Sequence, residues 1–202
     1  GSTGMYATTQ VLGGGNGNNT TSFENNYILN NFNGFYLETS AGFTLNFNAH
    51  NNSITGNTSS HVTISGAGTN NADMTCNWWG TTNAVTINSM ITGGTVTYVP
   101  FLITGTDSQP LAAGFQPVPG SCTGTPLLIT SAVPTPQLCA SMGSIVVTFG
   151  GGIAPYNISW TGGSATGVTS PYTITGLAGG TYNITITDAN SSTTNTTAAV
   201  QY

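Results

Sequence analysis

The sequence predicts an all-β chain in two parts, a parallel β-helix followed by a β-sandwich. Three observations carry this: a repeat in the first half, a proline-rich break in the middle, and short alternating strands at the end. The repeat emerges when NNYILNN from Asn25 is aligned with NNSITGN from Asn51 and NWWGTTN from Asn77, successive blocks starting 26 residues apart. Asn25, Asn51 and Asn77 form one column, Asn31, Asn57 and Asn83 a second, and Ile28 matches Ile54. Short alternations, GFYLE and HVTIS, follow the first two blocks. A single coil of this length cannot bury its apolar face alone, whereas stacked coils build a continuous core. Asparagines at equivalent turns then form a ladder of amides, each bonded to those above and below, which satisfies side chains otherwise costly to bury.

The two tryptophans of NWWG, Trp78 and Trp79, fall at a turn of the last recognisable coil. Neighbouring residues on a strand point to opposite sides, so one is expected to pack inside and the other to lie against the surface or the end of the stack. GSTGMYATTQVLGGGNGNN, before the first block, has no clear register and reads as an incomplete first coil. The abrupt opening is that expected of an excerpt from a longer chain, with targeting signals outside it.

Between Gly105 and Gln137 the texture changes. Six of the nine prolines (Pro110, Pro117, Pro119, Pro126, Pro134 and Pro136) fall within this stretch, which reads as an extended linker between a β-helix at 1–104 and a sandwich at 138–202. PLLITSAV, late in the stretch, is a candidate first strand of the second domain. After it, GSIVVTF, YNISW, YTITGL and TYNITITDAN alternate at spacings suited to a sandwich. Leu177, Gly180 and Tyr182 have the pattern of a tyrosine corner, in which the hydroxyl bonds back to upstream backbone, and Trp160 is expected as a core aromatic on an inner strand.

Composition excludes several functions. The 202 residues hold five acids (Glu24, Glu38, Asp73, Asp107 and Asp188), two histidines and neither lysine nor arginine. Nothing can neutralise phosphates or release counterions, so nucleic acid is not expected as a partner, and anionic lipid fails for the same reason. No run of 18 apolar residues is present, so membrane insertion is not expected either. With 38% hydrophobic residues the chain can still form a core. Three cysteines are an odd number: Cys122 and Cys139 bracket a loop and are candidates for a disulfide in an oxidising compartment, while Cys76 reads as a small buried hydrophobe.

Catalytic chemistry finds few candidates. A glycosidase needs two carboxylates flanking the scissile bond, and a lyase needs a base and a cation for the substrate carboxylate. On the 26-residue register Glu24 aligns with His50 and Cys76, Glu38 with Ile64 and Asp73 with Phe47, which scatters the carboxylates, so no catalytic residue is assigned. His50 and His61 are expected at solvated turns, without metal spacing. No cofactor is expected, apart from Ca²⁺ at Asp188 and Asn190 as a weak candidate, since Asp188 more simply caps its own turn. For glycans, the aromatic candidates are Trp78, Trp79, Tyr36 and Tyr98.

Two resemblances add to this reading. NWWGTTN followed by VTINSMITGGTVTYVPFL resembles the closing turns of right-handed parallel β-helix surface proteins, over about residues 20–104. CASMGSIVVTFGGGIAPYNISW and ITGLAGGTYNITITDAN resemble the SprB repeat, an immunoglobulin-like module of giant adhesins in gliding Bacteroidota. The family's Gly-Cys pair after Asp-x-Asn is replaced by Ser191 and Ser192. That removes the usual partner of Cys139 and leaves Cys122. The resemblance implies a non-enzymatic segment of a large secreted adhesin or fibre, at the cell surface and in gliding motility or attachment, exported by the type IX secretion system. Its partners would be neighbouring repeats of the same chain, surface glycans, or other copies in a filament. The alternative is a secreted polysaccharide-acting or glycan-binding protein, to which these are the β-helix and accessory parts.

Overall fold

Alternating apolar residues and closely spaced turn residues put 53% of the described residues in strands against 3% in helix, so the class is all-β. The structure is a computed structural model that describes residues 19–139 and 141–202. The incomplete first coil expected before Asn19 lies outside the described residues. Two compact units divide the chain, Gly1–Thr125 and Pro126–Tyr202.

In chain order the first unit contains β1 (Asn19–Glu24), β2 (Tyr27–Leu29), β3 (Asn33–Glu38), β4 (Thr44–His50), β5 (Ser53–Thr55), β6 (Ser60–Ser65) and β7 (Thr69–Asp73). A single helical turn and a half, α1 (Ala84–Ser89), then precedes β8 (Ile91–Thr92), β9 (Phe101–Leu102) and β10 (Cys122–Gly124). Three parallel sheets result, β1-β4-β7, β2-β5 and β3-β6-β8, so successive circuits of the chain stack strand on strand. An isolated parallel bridge between Ser53 and Trp78 carries the second sheet into the third circuit. Inside, Phe23, Phe35 and Phe47 pack with ring centroids 5.2–5.6 Å apart, and Leu37, Ile54, Val62, Met74 and Trp79 are fully buried around them.

The register step varies along the coil. Glu24 pairs with His50 and Ile28 with Ile54, a step of 26; Asn33 pairs with Ser60, a step of 27; Asn48 pairs with Asp73, a step of 25; Val62 pairs with Ile91, a step of 29. Each change sits in a turn. One extra residue separates β5 from β6, and α1 lengthens the equivalent turn of the next circuit. The turn from β6 to β7 is two residues shorter than that from β3 to β4. That short turn needs glycine: Gly66 has φ +89°, and a Cβ there would strike the Thr39 carbonyl.

This variation corrects the asparagine columns. Asn25, Asn51 and Cys76 occupy the left-handed turn position, with φ of 58°, 58° and 56°. The stacked amides are their successors, Asn26, Asn52 and Asn77. Asn77 therefore does not belong with Asn25 and Asn51, because its circuit arrives one residue early. Its Nδ2 donates to the Ala49 and Met74 carbonyls (2.6 and 2.7 Å), and its Oδ1 accepts from Asn52 N and Nδ2 (2.9 and 3.0 Å). In the second column Asn31 N donates to Asn57 Oδ1 (3.0 Å), but Asn83 leaves the stack and caps α1, accepting from Val85 N and Thr86 N.

The proline-rich stretch is not a free linker. Residues 105–125 belong to the first unit and fold back along it from the last circuit to the first described one. Gly105 lies on the Trp78 indole, the Asp107 carboxylate accepts from the Tyr27 hydroxyl (2.6 Å), and Phe115 is fully buried with its N–H on the Asn25 carbonyl (2.8 Å). Cys122 forms a disulfide with Cys76, Cα atoms 5.1 Å apart, and Cys139 is free and exposed. The expected Cys122–Cys139 bridge is thus replaced, because this strap returns Cys122 to the turn of the third circuit while Cys139 lies in the second unit. Cys76 is accordingly a half-cystine rather than an inert hydrophobe.

The second unit begins within the expected linker, with β11 (Leu128–Thr135), followed by β12 (Gly143–Gly150), β13 (Tyr156–Trp160), β14 (Gly163–Val168), β15 (Tyr172–Leu177), β16 (Gly180–Thr187) and β17 (Thr193–Val200). Pro134 is tolerated because β11 is an edge strand, bonded only to β12. Two antiparallel sheets, β11-β12-β15 and β14-β13-β16-β17, share one core that includes Ile145, Val147 and Ile174 from the first and Ile158, Ile184 and Ile186 from the second.

Two measurements test the ladder and the strap. Asn77→Ala leaves buried carbonyls and the Asn52 amide unpaired, and should lower the stability of the first unit by about 3 kcal/mol in denaturant titration. Asn71→Ala, on an exposed amide, should cost less than about 0.5 kcal/mol. Peptide mapping without reduction should recover Cys76 linked to Cys122 and Cys139 as the alkylated thiol. A Cys139-containing crosslink would refute the strap.

Candidate functional site

Along β4 the side chains alternate strictly, Leu45, Phe47 and Ala49 inward and Asn46, Asn48 and His50 outward. The parallel register sets Asn71 beside Asn46 and Asp73 beside Asn48. After β8 the chain runs along the far edge of β7, where Thr97 N donates to the Ala72 carbonyl (2.9 Å) and Met74 N to the Thr97 carbonyl (2.7 Å). Asn46, Asn48, Asn71, Asp73, Thr95 and Thr97 thereby line an open polar cleft of about 400 Å³.

At one end of this cleft Asp73 meets His50. Its Oδ1 accepts from Thr75 N (3.1 Å) and Thr75 Oγ1 (2.9 Å), and its Oδ2 lies 3.8 Å from His50 Nε2. His50 Nδ1 is 3.1 Å from both the carbonyl and the hydroxyl of Thr75, donating to the carbonyl in the tautomer that carries the proton on Nδ1. A register of constant step hides the cluster. Asp73 pairs with Asn48 rather than Phe47, and so faces outward; Glu38 pairs with Ser65 rather than Ile64, on a different sheet. Among the described residues no group of three or more His, Cys, Asp or Glu is gathered to hold a metal ion.

The four aromatic candidates do not form one platform. Trp79 is fully buried, T-shaped against Tyr98 at 6.2 Å and stacked with His61 at 6.4 Å. Tyr98 is half-buried against the core; its hydroxyl donates to the Ala84 carbonyl (3.3 Å), and burial raises its pKa. Trp78 is half-buried, with its indole against Gly105. Tyr36 lies half-exposed on β3, in register with Thr63. The pairing of Tyr27 with Asp107 is not legible from spacing, since 80 residues separate them. Their hydrogen bond raises the tyrosine pKa and lowers that of the carboxyl.

In the second unit Tyr182 donates from its hydroxyl to the Ala178 carbonyl (2.9 Å), Leu177 is buried, and Gly180 begins β16. Trp160 is half-buried at the end of β13, lying against Gly163 and tilted on Tyr172 at 6.5 Å; it is a rim residue rather than a core one, because the β13–β14 turn begins at its next neighbour. Asp188 is buried. Its Oδ1 accepts from Asn190 N and Ser192 N (2.9 and 2.8 Å), and its Oδ2 from Ile153 N (3.0 Å), which ties two loops together. Its oxygens serve the backbone.

Compared with known proteins, the chain matches no family model, no curated protein and no solved structure. Among the described residues no helix is long and apolar enough to cross a membrane.

His61 differs from the solvated turn position expected for it: it lies near the start of β6 and is buried against Trp79. Burial disfavours the imidazolium and holds its pKa below the ordinary histidine value. The unfolded ring gains its proton as pH falls through about 6.5 while the folded ring resists. Its contribution to stability is therefore complete above that pH and lost on acidification towards the folded pKa. Thermal unfolding of the first unit should occur at lower temperature at pH 5 than at pH 7.5, and His61→Gln should shrink the difference; an unchanged pH dependence in that variant would dismiss the assignment.

Proposed function

We propose that the chain is a non-enzymatic structural and adhesive segment of a large secreted cell-surface protein. The first unit would be the closing coils and cap of a right-handed parallel β-helix, and the second an immunoglobulin-like sandwich of the SprB type. The observation that carries the reading is the Cys76–Cys122 disulfide, which closes a strap over a nearly uncharged stack of coils. Structural disulfides belong to oxidising compartments, and a stapled stack with buried amides withstands exposure outside the cell. The sheet orders support the fold assignment. Three parallel sheets that stack circuit on circuit fit a β-helix, and seven strands split three and four over a common core fit an immunoglobulin-like sandwich. Export by the type IX secretion system and a role in gliding or attachment rest on the SprB resemblance.

A two-part experiment tests this. An antibody raised against the purified chain should label intact, unpermeabilised cells that make the protein. Beads coated with the purified chain should adhere to polysaccharide-coated or cell-coated surfaces without releasing reducing sugar. Labelling seen only after the cells are opened, beads that do not adhere, or release of sugar overturns the proposal.

A further inference from the structure

The cleft beside β7 presents polar side chains, Asn48, Thr95 and Thr97 among them, that the fold does not use. We infer that it binds an extended chain of neutral sugars, an inference that rests on the adhesive reading above and names its ligand.

The lining sets the chemistry. Amides, hydroxyls and one carboxylate make up most of the lining, beside Ala72 and Val96, so an apolar ligand would strip water from groups it could not replace. An anionic polymer fails for a different reason. Asp73 stands inside the cleft, and the sequence holds no lysine or arginine to offset a second negative charge. A neutral polyol brings both donors and acceptors, which is what Asn, Thr and Asp sites require.

The groups are also held ready. Asn71 Nδ2 donates to Asn46 Oδ1 (3.0 Å), which orients both amides and leaves one donor-bearing and one accepting end for a ligand. Thr75 occupies Asp73 Oδ1 and fixes the carboxylate, while Oδ2, 3.8 Å from His50 Nε2, can accept from a sugar hydroxyl. Asn48, Thr95 and Thr97 make no side-chain hydrogen bond with the described residues. Preorganisation of this kind reduces the ordering cost of binding. The pairs Asn46–Asn71 and Asn48–Asp73 form two rungs across adjacent strands about 4.8 Å apart. Such a grid offers repeated contacts to a polymer and few to a single sugar.

The test uses the full chain and a panel of neutral oligosaccharides (glucan, mannan, xylan and galactan oligomers) beside uronic-acid polymers, first on an array and then by calorimetry. The expected result is binding to at least one neutral oligomer. Asp73→Asn should weaken it about tenfold, the scale of one charge-assisted hydrogen bond. Asn48→Trp should abolish it by filling the cleft, with circular dichroism unchanged in both variants. The inference is overturned if the folded chain binds no neutral oligomer, prefers uronic-acid polymers, or binds equally well in both variants. Bead adhesion separates the two readings. Adhesion that persists in Asn48→Trp sinks the cleft and leaves the adhesive function standing, whereas sugar release sinks that function instead.

Discussion

An asparagine side chain offers two donors and an acceptor oxygen with two lone pairs, and a buried one must place all of them. Asn77, with no exposed surface, does so through the Ala49 and Met74 carbonyls at its amide nitrogen and the two Asn52 donors at its oxygen. Asn52 repeats the arrangement, donating to the Phe23 and His50 carbonyls and accepting from Asn26. The rest of the first unit depends on this ladder. A one-residue slip at the turn would bury an unsatisfied amide in each circuit, at about 1–3 kcal/mol per group. It would also send the outward side chains of the following strand inside. The left-handed residue before each ladder position, Asn25, Asn51 and Cys76, is the conformational corollary, because the chain must bend sharply there to aim the amide inward. With that turn fixed, Phe47 and Ala49 face the core and Asn46 and Asn48 face the cleft.

A stack of circuits is open at its sides and ends, and the strap answers this. It runs back from the closing segment, where Cys76 N donates to the Pro100 carbonyl (2.7 Å), to Asn25 and Tyr27 on the first described circuit. A disulfide closing 46 residues removes up to about 4 kcal/mol of denatured-state entropy on the chain-entropy estimate, more than any single surface contact supplies. The cysteine also takes the place of an asparagine at the left-handed turn position, so the bridge is anchored where the ladder has already fixed the backbone.

The repeat is legible because Asn and Ile recur at turn and core positions, and the period of 26 is that of the first two circuits. It misleads in the third, where a constant step matches Asn77 with residues one place out of phase. Consecutive asparagines in NNY and NNS give two equally good alignments, and only the shorter β6–β7 turn decides between them. The same slip hides the outward direction of Asp73 and with it the polar cleft, which depends on register to one residue. Strands of the second unit are legible from alternation alone. Alternation does not settle Trp160, because a large aromatic at the end of such a strand satisfies the pattern whether it lies inside or at the rim. The strap resembles a linker in sequence for a related reason: prolines signal missing ladder donors, and a segment that packs through Phe115, Tyr27 and a disulfide needs few of them.

The absence of cationic side chains imposes a last constraint, since every carboxylate must find its stabilisation elsewhere. Asp188 is met by three backbone N–H groups, Asp107 by the Tyr27 hydroxyl and the Gln109 and Gln116 amides, and Asp73 by the amide and hydroxyl of Thr75. Each of these acids therefore organises a turn or ties two segments together, since its donors are backbone amides and hydroxyls set by the fold rather than a long, mobile lysine or arginine. Hydrogen bonds of this kind are short-ranged and little affected by salt, unlike ion pairs across a Debye length of about 8 Å. A protein built this way keeps its loops in order over a wide range of ionic strength. Its net charge of −5 meanwhile discourages association with anionic surfaces, and binding is left to amides and hydroxyls.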